Sequence, residues 1–274
     1  MKSTSLILSA AVFCSALAAA QENYSLWPRR PAELEQAQHL IRQQKYNQAL
    51  ELLAPFIHKR GLTGHESRHL TGAIRVRRYL TAEHPRAHTY TVRRGENIER
   101  IAANNKSSRD LLILINGMVD PSDLKVGQKL IIIPQDLRAE LQLAERELSV
   151  WDGQTLIAVY DVRPSQELLA SKSGNEETQL KDREGELNGS RVPRSSALYP
   201  ASDRRLRLAN GISLIGSEGS PKGLSVHLKQ REVNELSLLL GNGARVSIVR
   251  NAKTFDPFPS TAAEAAKPGT KANK

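Results

Sequence analysis

Residues 88–134 carry the clearest structural pattern in the chain and read HTYTVRRGENIERIAANNKSSRDLLILINGMVDPSDLKVGQKLIIIP. Tyr90 and Val92 alternate with polar residues, which predicts a strand. Apolar residues at helical spacing then predict two helices, and the apolar run 130–133 predicts a buried strand. The order of strand, helix, helix and strand predicts a compact βααβ domain.

The ends of these elements carry residues that favour turns. Gly95 allows a tight turn after the first strand, and Asn116 with Gly117 ends the second helix because both tolerate left-handed backbone. With these turns, the stretch resembles a lysin motif (LysM) domain. The resemblance rests on Tyr90-Thr91-Val92, residues 95–98 (GENI), Ile101-Ala102, Leu111, Asn116-Gly117 and residues 124–134 (LKVGQKLIIIP). At Glu96-Asn97 the family usually has Asp-Thr, a departure expected to weaken polar contacts in that loop and to leave the fold unchanged.

The resemblance implies a domain that binds the N-acetylglucosamine-containing glycans of peptidoglycan or chitin. In the family the groove lies between the first strand–helix loop and the second helix–strand loop, where backbone groups and a few side chains hold neutral sugars. The candidate glycan-binding residues that this implies are Gly95, Glu96, Asn97, Ile98, Asn116, Gly117, Met118, Val119 and Pro121. These residues also have a purely structural interpretation, because glycines form turns, Asn116 caps a helix and Met118 fills the core.

Residues 1–20 have the layout of a secretory signal peptide. A basic start at Lys2 precedes an apolar run over 6–20 that ends in small residues. We expect cleavage after Ala20, and a retained N-terminal anchor is the alternative. Cys14 is the single cysteine of the chain, so the cleaved protein would have no disulfide, thiolate metal site or thiol nucleophile. No metal or cofactor is predicted.

The charge balance favours an anionic partner. The 274 residues include 39 Lys and Arg against 29 Asp and Glu, and loss of the leader lowers the formal net charge from +10 to +9. In an exported protein, such a surface favours an anionic wall or membrane surface. Aromatic residues make up 4%, too few for the stacking platform of single-strand binders, so no nucleic acid partner is predicted. We expect an exported protein, periplasmic or cell-wall associated, with no membrane span after cleavage.

Residues 31–84 are predicted to be helical. Apolar residues recur there at helical spacing. The segment 37–57 (AQHLIRQQKYNQALELLAPFI) resembles one tetratricopeptide repeat, with Tyr46 and Ala49 at turn and close-packing positions. Only one copy is visible, whereas stacked repeats need about three units for stability. We therefore expect a small helical cap, and the alternative is a binding segment for another envelope protein.

Residues 140–250 are predicted to form a mostly β domain. Alternating runs separated by turn signals predict its strands. A short helix or turn is expected over 135–146, a mobile polar insertion over 164–190 and a disordered tail over 251–274. The overall prediction is a multidomain α+β protein with an N-terminal helical segment, a βααβ LysM domain and a C-terminal mostly β domain.

The C-terminal layout resembles the catalytic domain of the L,D-transpeptidases through residues 211–216 (GISLIG), 232–236 (EVNEL) and 243–248 (GARVSI). That family transfers acyl groups with a cysteine thiolate and a histidine base. The resemblance places Ser225 where the family has its cysteine and His227 where it has an arginine. Gly223 and Ile215 stand at the two histidine positions.

These replacements predict an inactive, transpeptidase-like domain. Ser225 and His227 are the remaining catalytic candidates; on a strand they would share a face, with side chains parallel rather than directed at each other. The alternative interpretation is a polar loop before a helix, with His227 exposed or structural. The sequence thus predicts an exported bacterial wall protein that binds peptidoglycan glycan through its LysM domain. A divergent L,D-transpeptidase-type enzyme using Ser225, or an envelope scaffold, is the alternative.

Overall fold

The computed structural model describes residues 30–118, 124–171, 174–188, 190–193, 196, 198–216 and 223–250. The predicted signal segment, the predicted disordered tail and two groove candidates, Val119 and Pro121, lie outside the described residues. The chain divides into two compact units, Met1–Ser67 and Arg68–Lys274. No helix among the described residues combines the length and the apolar character that a membrane crossing needs.

The described part of the first unit, residues 30–67, is helical, as predicted. Its helices are α1 (Ala32–Arg42) and α2 (Tyr46–Leu53), followed by a short 3₁₀ turn (Ala54–Phe56) and the start of α3 (Gly61–Tyr79). The two short helices pack through small and branched apolar residues that are fully buried. These are Leu34 and Ala37 on α1, and Ala49 and Leu53 on α2.

The boundary between the two units falls inside α3, after Ser67. The segment predicted to be helical, residues 31–84, therefore spans this boundary, and its last helix ends at Tyr79. From Arg68 onward the helix packs on the β domain: Arg68 Nε donates to Glu147 Oε1 at 2.7 Å. A Cβ at Gly72 would lie 2.9 Å from the backbone nitrogen of Val159. The glycine therefore permits a close helix–sheet approach that hydrophobic periodicity alone does not reveal.

Residues 88–132 form the predicted βααβ arrangement. Strands β1 (His88–Thr91) and β2 (Lys129–Ile132) pair antiparallel, with α4 (Ile98–Asn104) and α5 (Arg109–Ile115) between them in the chain. One small hydrophobic core holds these elements together. Its buried members are Val92, Ile98, Ile101, Ala102, Leu112, Ile113, Leu130 and Ile132.

The remaining described residues form a β domain around a ten-stranded sheet. The path of neighbours is β5-β4-β3-β12-β7-β9-β10-β11-β6, with β8 paired to β7. The pairs β10–β11 and β12–β3 are parallel, and the others are antiparallel. The strands are β3 (Leu137–Gln142), β4 (Glu147–Asp152), β5 (Thr155–Asp161), β6 (Arg163–Pro164), β7 (Glu176–Leu187), β8 (Ser190–Val192), β9 (Asp203–Leu208), β10 (Ser213–Gly216), β11 (Ser225–Leu228) and β12 (Arg245–Val249). Helices α6 (Gln166–Ala170) and α7 (Gln230–Leu239) and a 3₁₀ turn (Tyr199–Ala201) complete the domain.

Two local predictions in this domain are wrong. The prediction of a short helix or turn over residues 135–146 missed strand β3 (Leu137–Gln142), and only residues 143–146 form a turn. Leu137, Ala139 and Leu141 of β3 alternate into the core. Glu140, between them, is buried as well. The strand therefore lacks the exposed polar face that an alternating pattern predicts.

The predicted mobile insertion over 164–190 is the second wrong prediction. It contains α6 and the 12-residue strand β7, which lies between β12 and β9. Its charged residues find partners along the sheet: Glu184 lies 3.4 Å from Arg207, and Glu186 lies 3.2 Å from Arg205. Backbone pairing and these ion pairs hold a polar segment in a strand, whereas composition alone suggested disorder.

Candidate functional sites

The first LysM loop is closed by a carboxylate. Tyr90 Oη donates to Glu96 Oε1 at 2.7 Å, and the Arg93 backbone N–H donates to Glu96 Oε2 at 2.8 Å. The hydrogen bond from Tyr90, then that from Arg93, lowers the pKa of Glu96 below its usual range. Glu96 therefore stays ionised and fixes the turn, so the departure from the family's Asp does not leave this loop without polar contacts.

The other side chains of this loop are also committed to structure. Asn97 caps α4, since its Oδ1 accepts from the Arg100 backbone N–H at 2.9 Å. Ile98 is buried in the core. Gly95 is exposed with a φ of 80°, and no described atom lies within 4 Å of the position where its Cβ would be. What this loop offers a ligand is mainly backbone around Gly95.

The second LysM loop is tied to β2 by one amide side chain. Asn116 Nδ2 donates to the carbonyls of Leu112 and Ile131, both at 2.9 Å. Asn116 Oδ1 accepts from the Ile131 N–H at 2.7 Å. The side chain thus forms hydrogen bonds with the backbone of β2 as a neighbouring strand would. The sequence predicted only that Asn116 ends the helix.

Gly117 and Met118, the described residues that follow Asn116 in the second loop, resemble the first loop. Gly117 is exposed with a φ of 60°. Met118 is half-buried and packs against the LysM core. Both loops therefore have anchored side chains and open backbone at a glycine, which suits a shallow site for neutral sugars.

Ser225 and His227 lie on strand β11 and not in a polar loop. Both are buried, with 2% and 3% of their surfaces exposed. The prediction of a loop position is therefore wrong, and of the two roles expected for His227, exposed or structural, its burial excludes the exposed one. Ser225 Oγ lies 3.4 Å from His227 Nε2. The expectation of parallel side chains is wrong as well, because the long imidazole side chain can lean along the strand.

The backbone around this pair is held by two neighbouring strands. On β10, Ile215 is the register partner of His227. On β6, Arg163 faces His227. The Ser165 backbone N–H donates to the Ser225 carbonyl at 2.9 Å.

A cavity of about 960 Å³ reaches His227 from one side. Its charged lining includes Asp161, Arg163, Lys229 and Arg231. Ser225 is not among the described residues that line it. Of the pair, only His227 is among the described residues that line the cavity, and it is itself 3% exposed.

The LysM unit and the β domain, both in the second compact unit, are joined by a buried ionic cluster. Arg204 Nε donates to Asp110 Oδ2 at 2.9 Å, and the Arg204 guanidinium lies over the Tyr199 ring at 4.0 Å. The Ser108 backbone N–H donates to Gln135 Oε1 at 3.0 Å, and Ser108 Oγ donates to the Ser237 carbonyl. Ser108 and Asp110 are residue types that favour a helix start, and no local signal in the sequence shows that they also dock the helix.

Comparison with known families decides the identity of the βααβ unit. Residues 90–132 match the family model of the LysM domain. This unit is a LysM domain. No curated protein matches the chain.

Solved structures similar to the chain include several L,D-transpeptidases. The enzyme from Xylanimonas cellulosilytica is 13% identical over 42% of this chain and 60% of its own, with a TM-score of 0.29. A mutant of the Enterococcus faecium enzyme is 13% identical over 42% of this chain and 50% of its own, with a TM-score of 0.31. L,D-transpeptidase 1 of Mycobacterium tuberculosis is 7% identical over 44% of this chain and 66% of its own, with a TM-score of 0.30. The chain spans half to two thirds of the length of these three structures.

Proposed function

We propose that this protein is an exported bacterial cell-wall protein whose LysM domain binds the N-acetylglucosamine-containing glycan of peptidoglycan. The observation that carries the proposal is the family match over residues 90–132. The open backbone at Gly95 and Gly117 supports it, because a neutral sugar needs donors and acceptors more than charge. The formal net charge of +10 supports placement on an anionic wall.

Glycan binding is best tested with side chains added to the two open glycines. The double variant Gly95→Asn and Gly117→Asn keeps residues that tolerate left-handed backbone, and it extends both side chains toward the groove. Binding of an N-acetylglucosamine oligomer, measured by titration calorimetry, should weaken at least about tenfold, the equivalent of one lost hydrogen-bonded contact. The matched control is Gly153→Asn, at a β-hairpin glycine with a φ of 56° and no described atom within 4 Å. Equal affinity of the double variant and the control would contradict the groove assignment.

Point variants are sharper here than deletion of the LysM domain. Deleting residues 88–134 would remove Asp110, the partner of Arg204, and leave a buried guanidinium in the β domain. Loss of binding after that deletion could then come either from removal of the glycan groove or from destabilisation of the β domain.

We further propose that the β domain does not catalyse acyl transfer. Serine replaces the cysteine that the resemblance places at position 225, and Gly223 and Ile215 replace the two histidines. The Ser225 hydroxyl is also buried away from the neighbouring cavity. A serine is a weak nucleophile unless an oriented base activates it, and a substrate must reach it.

One observation favours the second candidate, an enzyme that uses Ser225. Its Oγ lies 3.4 Å from His227 Nε2, close to the distance at which a histidine can act as base. Incubation with muropeptides tests this candidate by chromatography of the products. Product formation that disappears in Ser225→Ala and persists in Ser213→Ala, at the register partner on β10, would overturn the proposal of an inactive domain.

A further inference from the structure

A second cavity, of about 270 Å³, lies where the LysM domain faces the β domain. On the LysM side it is lined by α4 and the segment after it, including Lys106 and Ser107. On the β side it is lined by the loop 241–244 and by Arg245. Neither LysM loop around Gly95 or Gly117 is among its described lining residues, so it is separate from the proposed glycan groove.

The charge of this cavity is positive. Lys106, Arg109, Arg183 and Arg245 line it, together with the carboxylates of Glu99 and Asp136. Glu99 is engaged by Arg109 at 2.7 Å. Asp136 is mostly exposed and lies 4.0 Å from Lys106, a contact that solvent screens. Cations therefore outnumber carboxylates by two in the lining.

A buried hydroxyl lines the same cavity. Ser107 is only 4% exposed, and its Oγ has no hydrogen-bond partner among the described residues. Buried polar groups are nearly always hydrogen-bonded in folded proteins. An acceptor oxygen brought by a ligand in the positive cavity would satisfy this donor.

We propose that this cavity binds a small anionic group, a carboxylate or a phosphate. Ser107 Oγ donates a hydrogen bond to it, and Arg245 and Lys106 supply charge. The exposed Asn242 side chain lies in the same lining and can donate a further hydrogen bond. A volume of about 270 Å³ is below the range of drug-sized pockets and suits a group of this size.

The test is a titration of the full chain followed by amide chemical shifts in NMR spectra, at constant ionic strength. The probes are inorganic phosphate, D-lactate as a carboxylate, and N-acetylglucosamine as a neutral sugar. We expect saturable shifts at Ser107 and Arg245 with at least one anion and none there with N-acetylglucosamine. Saturation by one anion alone assigns the site to that source, and saturation by both supports the shared chemistry. Absence of saturable shifts with both anions would overturn the proposal.

Two variants separate binding from folding. Arg245→Gln should weaken anion binding about tenfold, the usual effect of one charge-assisted hydrogen bond. Ser107→Ala should weaken binding without lowering the unfolding midpoint, because the hydroxyl has no partner to lose among the described residues. The matched control is Arg207→Gln, which removes an exposed strand arginine outside the described lining. Anion affinity unchanged in both cavity variants would contradict the proposal, whatever the glycan affinity of the LysM domain.

Discussion

In the LysM domain, Gly95 and Gly117 leave backbone exposed between anchored side chains, whereas in the β domain the Ser225 hydroxyl is buried on a strand. The first arrangement needs only main-chain donors and acceptors, which survive most substitutions. The second would need particular side chains, and the resemblance places serine and glycine where the chemistry needs thiol and imidazole. This difference underlies our proposal that the protein binds the wall glycan without performing acyl transfer.

The largest expected effect on stability comes from a variant that breaks the ion pair between the LysM domain and the β domain. Asp110→Ala leaves Arg204 buried without its carboxylate partner, which should lower the free energy of unfolding by about 3–5 kcal/mol. Urea unfolding followed by circular dichroism measures the loss. The matched control is Asp203→Ala, at an exposed aspartate on β9, with an expected change within about 0.5 kcal/mol. Equal unfolding midpoints for the two variants would show that the cluster does not hold the domains together.

A buried carboxylate makes the β domain sensitive to pH. Burial raises the pKa of Glu140 from 4.5 to about 7. The folded state therefore binds this proton more tightly than the unfolded state, so the stabilisation is complete below about pH 4.5 and is lost as pH rises through 7, to a total of about 3 kcal/mol.

Glu140→Gln should remove this pH dependence and keep the hydrogen-bonding shape of the side chain. The measurement is the free energy of unfolding at about pH 5 and about pH 8. The native protein should lose more stability between these values than Glu140→Gln does. Glu177→Gln, at an exposed position of β7, should behave like the native protein. A Glu140→Gln protein with the native slope would rule out titration of Glu140 in this range.

A smaller effect tests the anchor of the second LysM loop. Asn116→Ala removes three hydrogen bonds to the backbone, which should cost about 2 kcal/mol of stability and weaken glycan binding. Asn105→Ala is the matched control, because Asn105 follows α4 as Asn116 follows α5 but makes one such bond, to the Ile101 carbonyl at 2.8 Å. Thermal unfolding and calorimetry compare the two. An equal fall in glycan affinity in both variants would contradict the role of Asn116 as the anchor of the second LysM loop.

The smallest expected effect lies at Ser225. Ser225→Ala should change stability by less than about 1 kcal/mol, since its contact with His227 is long at 3.4 Å. Glycan affinity should be unchanged. Unfolding curves and calorimetry on the same preparation check both expectations. A Ser225→Ala variant that loses glycan affinity would show that the two regions are coupled.

Local patterns predicted the LysM domain well, because its strands, helix ends and turns are each specified within a few residues. The alternating runs also predicted the mostly β character of the C-terminal domain. Strands β3 and β7 were missed because Glu140 and Arg183 are charged residues that the fold buries. Their partners are distant in sequence, as when Arg183 donates to the Leu240 carbonyl, and no local window contains both.

The docking of the two domains was hidden for a similar reason. Ser108 and Asp110 have the features of a helix start, and that role accounts for them fully within the sequence. Their contacts with Ser237 and Arg204 join residues about a hundred positions away. The prediction that residues 31–84 hold another envelope protein stays a prediction, and capture of such a protein by the full chain, but not by a chain lacking 31–60, would support it.

The central claim is that the LysM loops bind the wall while the β domain performs no chemistry on it. Its most direct test is sedimentation with purified peptidoglycan, comparing the native chain, the Gly95→Asn and Gly117→Asn double variant and Gly153→Asn. The native chain and Gly153→Asn should sediment with the wall and release no new muropeptides, and a much smaller fraction of the double variant should sediment. Sedimentation of the double variant to the native extent would contradict the claim.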